Sequence, residues 1–196
     1  HDRRFVVVDA GGRFLSQREL PLMATVWTEI AAGELRLAAP DHGEVAVPLE
    51  PACGEPLSPT LWEGEVAAIA PSAEADRWLS GVLGRPCRLA YMPASTRRAS
   101  NPRYGGPGRL VSFADGYAFL VVSEASLAEL NGRLARPVPM DRFRANIVVS
   151  GCESFAEDGW GEFAVGSATL RMAKPCGRCK VTTTDQSTGE VTGLEP

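Results

Sequence analysis

Apolar and polar residues alternate in short runs through the first half of the chain, the period that gives a strand one dry face and one wet face. Phe5 to Val8 leads into Asp9-Ala10-Gly11-Gly12 and then Arg13-Phe14-Leu15, a hairpin signal in which glycine supplies a positive φ. Ala24 to Trp27, Glu34 to Ala38 and Val45 to Pro48 repeat the alternation between Gly, Pro and Asp breaks, as antiparallel strands do. Trp62 to Ile69 predicts one further strand. The period then changes. Ser72 can cap a helix whose apolar positions Ala75, Trp78, Leu79, Val82 and Leu83 recur at three and four, and Gly84 ends it. Cys87 to Met92 returns to strand, with Cys87 as buried filler.

In the second half, Phe119 to Val122 predicts a strand. Ser126 with Glu129 predicts a capping box for a helix that carries Leu127, Leu130 and Leu134 on one face. Ile147 to Val149, Ala168 to Met172 and the β-branched run Val181 to Thr184 read as strands. The expected fold is mainly β with a few short helices (α+β), an N-terminal antiparallel β subdomain over residues 1–94 and a second domain over 95–196. Between them, Arg97 to Arg109 holds four arginines, no acid and several Gly and Pro. A long mobile loop is expected there, either a solvated linker or a lid over an anionic site with Arg97 or Arg98 touching phosphate or substrate.

The chain has 196 residues, 44% hydrophobic and 22% charged, enough for one large or two small cores. No apolar run approaches the roughly 20 residues of a membrane helix, so no membrane partner is expected. A net charge of -4 argues against a nucleic-acid coat. Five cysteines, an odd number, suit a reducing compartment better than a disulfide framework, and the cytoplasm is the expected location.

One stretch reverses the sign of the charge. Arg171, Lys174, Arg178 and Lys180 surround Cys176 and Cys179, and no acid follows until Asp185. Neighbouring cations stabilise a thiolate, the form that ligates metals and attacks electrophiles, and the same cations would hold an anionic cofactor. The Cys-x-x-Cys spacing alone leaves three readings open. A thioredoxin-type redox pair wants a helix start where a strand is expected. Structural zinc wants more ligands than one pair, and Cys53, Cys87, Cys152, His1 and His42 are scattered singly. Two buried apolar fillers are the third reading.

Other positions carry candidate chemistry. Arg144 and Asn146 stand two apart at the mouth of a strand, so they share a face and could grip one ligand. Structurally, Asn146 could instead bond backbone and Arg144 could pair with Asp141. Asp115-Gly116 reads as a turn, Arg3 and Arg4 as strand-end charge, Phe155 to Trp160 as a structural acidic turn, and His42 as a surface turn residue.

Lys174 to Gly189, together with Arg144 to Gly151, the following Ala156 to Trp160, and Ser123 to Asn131, resembles the MOSC family, the molybdenum cofactor sulfurase C-terminal domain family. The resemblance implies an N-terminal β subdomain followed by a MOSC β-barrel that binds a molybdenum pyranopterin cofactor. It makes Cys179 the metal ligand and a catalytic residue, flanked by Arg178 and Gly177 on the cofactor. Gly177 replaces a serine of some relatives and loses that hydrogen bond. Arg3, Arg144 and Asn146 are carried over as cofactor-binding, with Ala145 where the family often has proline. Asp115 is carried over as catalytic, and Gly116 as a main-chain contact only, since a hydroxyl residue stands there in animal reductases. The family's Pro-x-Lys-Ser turn before this start and its strands beyond this end imply a chain truncated at both ends, a fragment or an unusually short relative.

The implied activity is reduction of small N-hydroxylated substrates. No cysteine pattern spaced for a [2Fe–2S] centre occurs, and no nucleotide-binding glycine fingerprint follows a strand. A separate flavin or iron–sulfur protein is therefore the expected electron donor. Two other functions stay open: a sulfur carrier holding a persulfide without bound metal, and an interaction or remnant module that binds nothing.

Overall fold

The computed structural model describes residues 2–62 and 64–192. His1, one of the scattered candidate ligands, Glu63 within the expected Trp62 to Ile69 strand, and residues 193–196 lie outside the described residues. Among the described residues the fold is α+β, mainly β with three α-helices.

β1 (Phe5–Asp9) turns back as its sequence predicts. The Asp9 carboxylate accepts the amides of Gly11 (3.0 Å) and Arg13 (2.9 Å), Gly12 takes φ +82°, and Val8 bridges Phe14. The strand expected from Ala24 begins instead at Trp27. Pro21 opens a 3-10 turn over Pro21–Thr25, a position where its missing N–H costs nothing. β2 (Trp27–Ala31), β3 (Glu34–Ala39) and β4 (Gly43–Pro48) form an antiparallel sheet in that order. β5 (Glu55–Leu57) comes next. The single strand expected over Trp62 to Ile69 is broken, because Trp62 takes a left-handed φ of +46°. β6 (Thr60–Leu61) and β7 (Gly64–Glu65) pair there, and β8 (Ala68–Ala70) is separate.

Helix α1 (Ala73–Leu83) has both predicted caps: Ser72 Oγ accepts the Ala75 amide at 3.2 Å, and Gly84 takes φ +65°. β9 (Cys87–Tyr91) completes a sheet in the order β1-β9-β8-β5. Both faces of this sheet are covered. Leu89 joins Leu79, Val82 and Leu83 of α1 and the inner face of β3 and β4, while Val6, Val8, Ala90 and Met92 pack on the other side with Phe113. Phe113 therefore brings the second half of the chain onto the first. Cys87 is 3% exposed, and burial pushes its thiol up, as filler should behave.

The arginine-rich stretch is shaped rather than open. Ala99 bridges Leu110, the Ser100 amide donates to the Arg109 carbonyl at 2.8 Å, and α2 (Pro102–Gly105) starts at Asn101, whose side chain accepts the Arg103 amide. Arg98 does not reach toward a ligand. Its guanidinium donates to the carbonyls of Ser112 and Ala114, both at 2.6 Å, and to that of Asp115 at 3.3 Å, and it stacks over Trp62.

Farther on, β10 (Val121–Ser123) pairs in parallel with β11 (Ile147–Val149), and β12 (Glu162–Val165) with β13 (Ala168–Arg171) antiparallel. Helix α3 (Glu124–Asn131) starts earlier than expected. Ser123 is its N-cap, accepting the Ser126 amide at 3.0 Å. Ser126 is buried and donates to Glu157 at 2.7 Å, and Glu129 turns to Arg133 one helical turn on, so the expected capping box does not form. Glu157, in the acidic turn, is 5% exposed; burial works to raise its pKa, but the bonds from Ser126 and Ser123 outweigh it and hold the carboxylate low. The strand expected over Val181 to Thr184 is a 3-10 turn, Lys180–Thr183. The hydroxyls of Thr182 and Thr183 donate back to the carbonyls of Cys179 (3.1 Å) and Lys180 (2.7 Å), a local bond that overrides β-propensity.

Candidate functional site

A cavity of about 1440 Å³ opens between the two halves, and most of the candidate side chains line it. The first wall comes from the N-terminal segment. Arg3 takes φ +50°, its carbonyl accepts the Phe113 amide at 2.9 Å, and Ser112 Oγ donates to the Asp2 carbonyl at 2.9 Å. The start of the chain is thus laced to the loop that carries Asp115 and Gly116, both on the same cavity wall. Arg3 Nη1 donates to Asp2 Oδ2 (2.8 Å) and to Asn146 Oδ1 (3.0 Å).

Asn146 is not part of the wall. Its side-chain oxygen also accepts the Leu120 amide at 3.0 Å, so it orients Arg3 from behind. The expectation that Arg144 and Asn146 project together fails for a backbone reason. Arg144 ends the 3-10 turn Met140–Phe143 with φ +52°, and a left-handed residue breaks the alternation of an extended strand. Its link to Asp141 is main-chain, amide to carbonyl at 3.0 Å.

Arg144 is solvent-exposed by area, yet protein surrounds it on most sides, as happens inside a large cavity. Desolvation pushes its guanidinium below the ordinary range, and the nearby charges of Arg3 and Arg178 push the same way. Asp115 and Asp2 oppose that only in part. Three cations therefore share one space. Both Arg3 and Arg144 also hold left-handed backbone, a strain of about 1–2 kcal/mol each for residues with a Cβ, of the kind that clusters at functional sites.

The opposite wall is the Cys loop. Cys176 and Cys179 are free and exposed, which removes the buried-filler reading. Arg178 fixes the loop to the Arg144 segment: Nη2 donates to the Phe143 carbonyl at 2.7 Å, and Nη1 lies 3.4 Å from Cys176 Sγ. Cys179 stands at the start of the four-residue 3-10 turn, not of the α-helix that a thioredoxin-type pair uses. Among the described residues, no three His, Cys, Asp or Glu side chains cluster as metal ligands. The described donors thus do not complete a tetrahedral zinc site, whereas a metal that arrives with most of its ligands needs only one thiolate.

Two residues escaped sequence reasoning. Arg142, 7% exposed, donates to the Thr183 carbonyl, to Thr192 Oγ1 and to Asp185 Oδ2, each at 3.0 Å, and so anchors the segment after Cys179. Asp185 is held down to about 2, first by the Ser187 hydroxyl and amide, then by the Thr188 amide and Arg142. Its Asx-turn signature, Asp185-x-Ser187-Thr188, was readable; its partner forty-three positions earlier was not. Two of the cations flanking the thiols also have other work. Arg171 donates to the carbonyls of Tyr104 (3.1 Å) and Gly105 (3.0 Å), and Lys174 lies over the Tyr104 ring.

The MOSC N-terminal beta barrel domain model matches residues 1–86, and the MOSC domain model matches residues 108–195. The chain belongs to the MOSC family. Among curated relatives, this MOSC chain is 33% identical over 200 residues to mitochondrial amidoxime-reducing component 1 of Mus musculus, and 29% identical over 200 residues to that of Homo sapiens. Each alignment takes in 100% of the MOSC chain and 59% of the relative, so the chain spans about three fifths of their length. Among solved structures, a Bordetella bronchiseptica protein determined in solution is 25% identical, with a TM-score of 0.45, over 51% of this chain and 79% of its own. Among the described residues, no helix is long and apolar enough to cross a membrane.

Proposed function

We propose that this MOSC chain holds a molybdenum pyranopterin cofactor and, within its whole protein, reduces small N-hydroxylated compounds with electrons from a separate flavin or iron–sulfur protein. The observation that carries the reading is the one cavity that Arg3, Arg144 and Arg178 line together, with an exposed Cys179 on its Cys-loop side. Three guanidiniums that Asp2 and Asp115 offset only in part make the cavity favourable for an anion, and a phosphate-bearing pterin is such an anion. When bound, the cofactor supplies two-electron oxygen-atom chemistry at the metal. The name of the relatives, amidoxime-reducing component, points to the N-hydroxylated substrate class.

Each residue then has a task. Cys179 offers one soft thiolate, Arg178 keeps the loop in place against Phe143, and Arg3 and Arg144 meet negative charge. Asn146 holds Arg3 in position. Gly116 and Gly177 leave main chain open to the cavity, and Asp115 supplies a carboxyl group there. Reduction of an N–OH group consumes two electrons and two protons and releases water, so a group able to pass a proton to the departing hydroxyl is required. We assign that to Asp115. Exposed, unpaired thiols suit a reducing compartment, and we take the cytoplasm as the location.

The test is metal and pterin analysis of full-length protein from a cofactor-competent host, by elemental analysis and by pterin fluorescence after denaturation. Stoichiometric molybdenum with pterin supports the reading; the absence of both overturns it. A sulfur carrier is the second reading, favoured by two free, exposed cysteines on one loop. Cyanide-labile sulfur without molybdenum would establish it.

A further inference from the structure

Two hydroxyls in the same cavity have no use in that scheme. Ser100 is 5% exposed, and among the described residues its Oγ is buried without a hydrogen-bond partner; Tyr117 Oη is buried and, among the same residues, equally unpartnered. Both side chains line the cavity. Buried polar atoms in folded proteins are almost always paired, so two orphans on residues that line one cavity call for a polar partner from outside the described residues.

The surroundings are built. Gly105 lies over both residues: a Cβ there would come 2.8 Å from Ser100 Oγ and 3.3 Å from the Tyr117 ring. Only glycine leaves that space. The Gly105 carbonyl is held by Arg171, which ties this roof to β13 and so to the strand that delivers the Cys loop. The position is therefore fixed from both sides, by the base of the arginine-rich stretch and by the strand before Cys176.

We propose that Ser100 and Tyr117 form a hydrogen-bonding subsite for the uncharged amidoxime-type head of the substrate. The choice of ligand follows from charge. An anion finds better partners in Arg3, Arg144 and Arg178, and a cation is repelled by them. A neutral group bearing adjacent donor and acceptor atoms matches two hydroxyls, each of which can donate and accept. An N-hydroxyamidine offers an N–OH, an sp² nitrogen and an NH₂ within two bonds of one carbon. This inference rests on the reductase reading above and adds the residues that recognise the substrate.

The experiment measures benzamidoxime binding to full-length wild type, Tyr117→Phe and Ser100→Ala by calorimetry, with KM, kcat, molybdenum and pterin content and thermal midpoint in parallel. Each variant should weaken binding and raise KM about tenfold, the size of one lost hydrogen bond. The kcat and cofactor content should stay at wild-type values. The thermal midpoint of Tyr117→Phe should not fall, since an orphan hydroxyl contributes nothing to the unliganded fold, whereas a structural hydroxyl would lower it on removal. Unchanged affinity in both variants, the result if the hydroxyls hold only water, overturns the proposal. So does a parallel loss of pterin, which would hand the subsite to the cofactor. Failure of wild type itself to bind benzamidoxime overturns the substrate reading, and this subsite falls with it.

Discussion

Arg3 and Asn146 stand 143 positions apart, and the guanidinium of one donates to the side-chain oxygen of the other at 3.0 Å. Because that oxygen also receives the Leu120 amide, the bond joins the first strand's approach, the loop before β10 and the approach to β11 at one atom. Asn146→Leu should cost about 1 kcal/mol, the size of part-buried hydrogen bonds lost, and should lower cofactor content by freeing Arg3. Chemical denaturation and molybdenum analysis check the two effects separately. A stable variant with full cofactor would remove Asn146 from any role.

The two thiols should behave unequally. Cys179→Ala is expected to abolish molybdenum retention, while Cys176→Ala, which loses only its contact with Arg178, should keep most of it. Equal loss in both would point to a dithiol or a shared metal site.

Arg144 combines two properties that substitution can separate. Arg144→Ala should reduce cofactor content without unfolding the protein. Arg144→Gly should do the same yet be more stable than the alanine variant by about 1 kcal/mol, because only glycine takes a φ of +52° without strain. Thermal midpoints of the two variants give the comparison, and wild-type cofactor content in either would take Arg144 out of the site.

The Asp185 carboxyl titrates at about 2 in the folded chain against an ordinary 3.8. A depressed folded pKa adds stability above the unfolded value, and that stability is lost as pH falls through about 2. Urea midpoints measured between those values should drop, and Asp185→Asn should flatten the slope while lowering stability at neutral pH, since it leaves Arg142 without its carboxylate. An identical pH slope in the variant would show that Asp185 does not contribute.

Local patterns were legible wherever the answer lies within one turn or one pair of strands. Ser72 and Gly84 delimit α1 because caps act on neighbouring backbone, and the alternation in β3 and β4 appears as their buried and exposed faces. Cys176 and Cys179 were readable as a charged loop for the same reason. Errors arose where a distant partner or a local bond replaced propensity: Ser123 in place of Ser126 as the cap, and the threonine hydroxyls that curl Lys180–Thr183.

By itself, then, the sequence determined the strand-rich first half, the helix after Ser72 and which residue types carry chemistry. Tertiary structure alone decided that Arg98 is spent on the carbonyls of residues 112–115, that Arg142 anchors the segment after the thiols, and that Asn146 supports Arg3 rather than facing the cavity. The reason is physical: a guanidinium is used by whichever carbonyls and carboxylates the folded backbone brings within reach, and those come from parts of the chain that no local pattern connects.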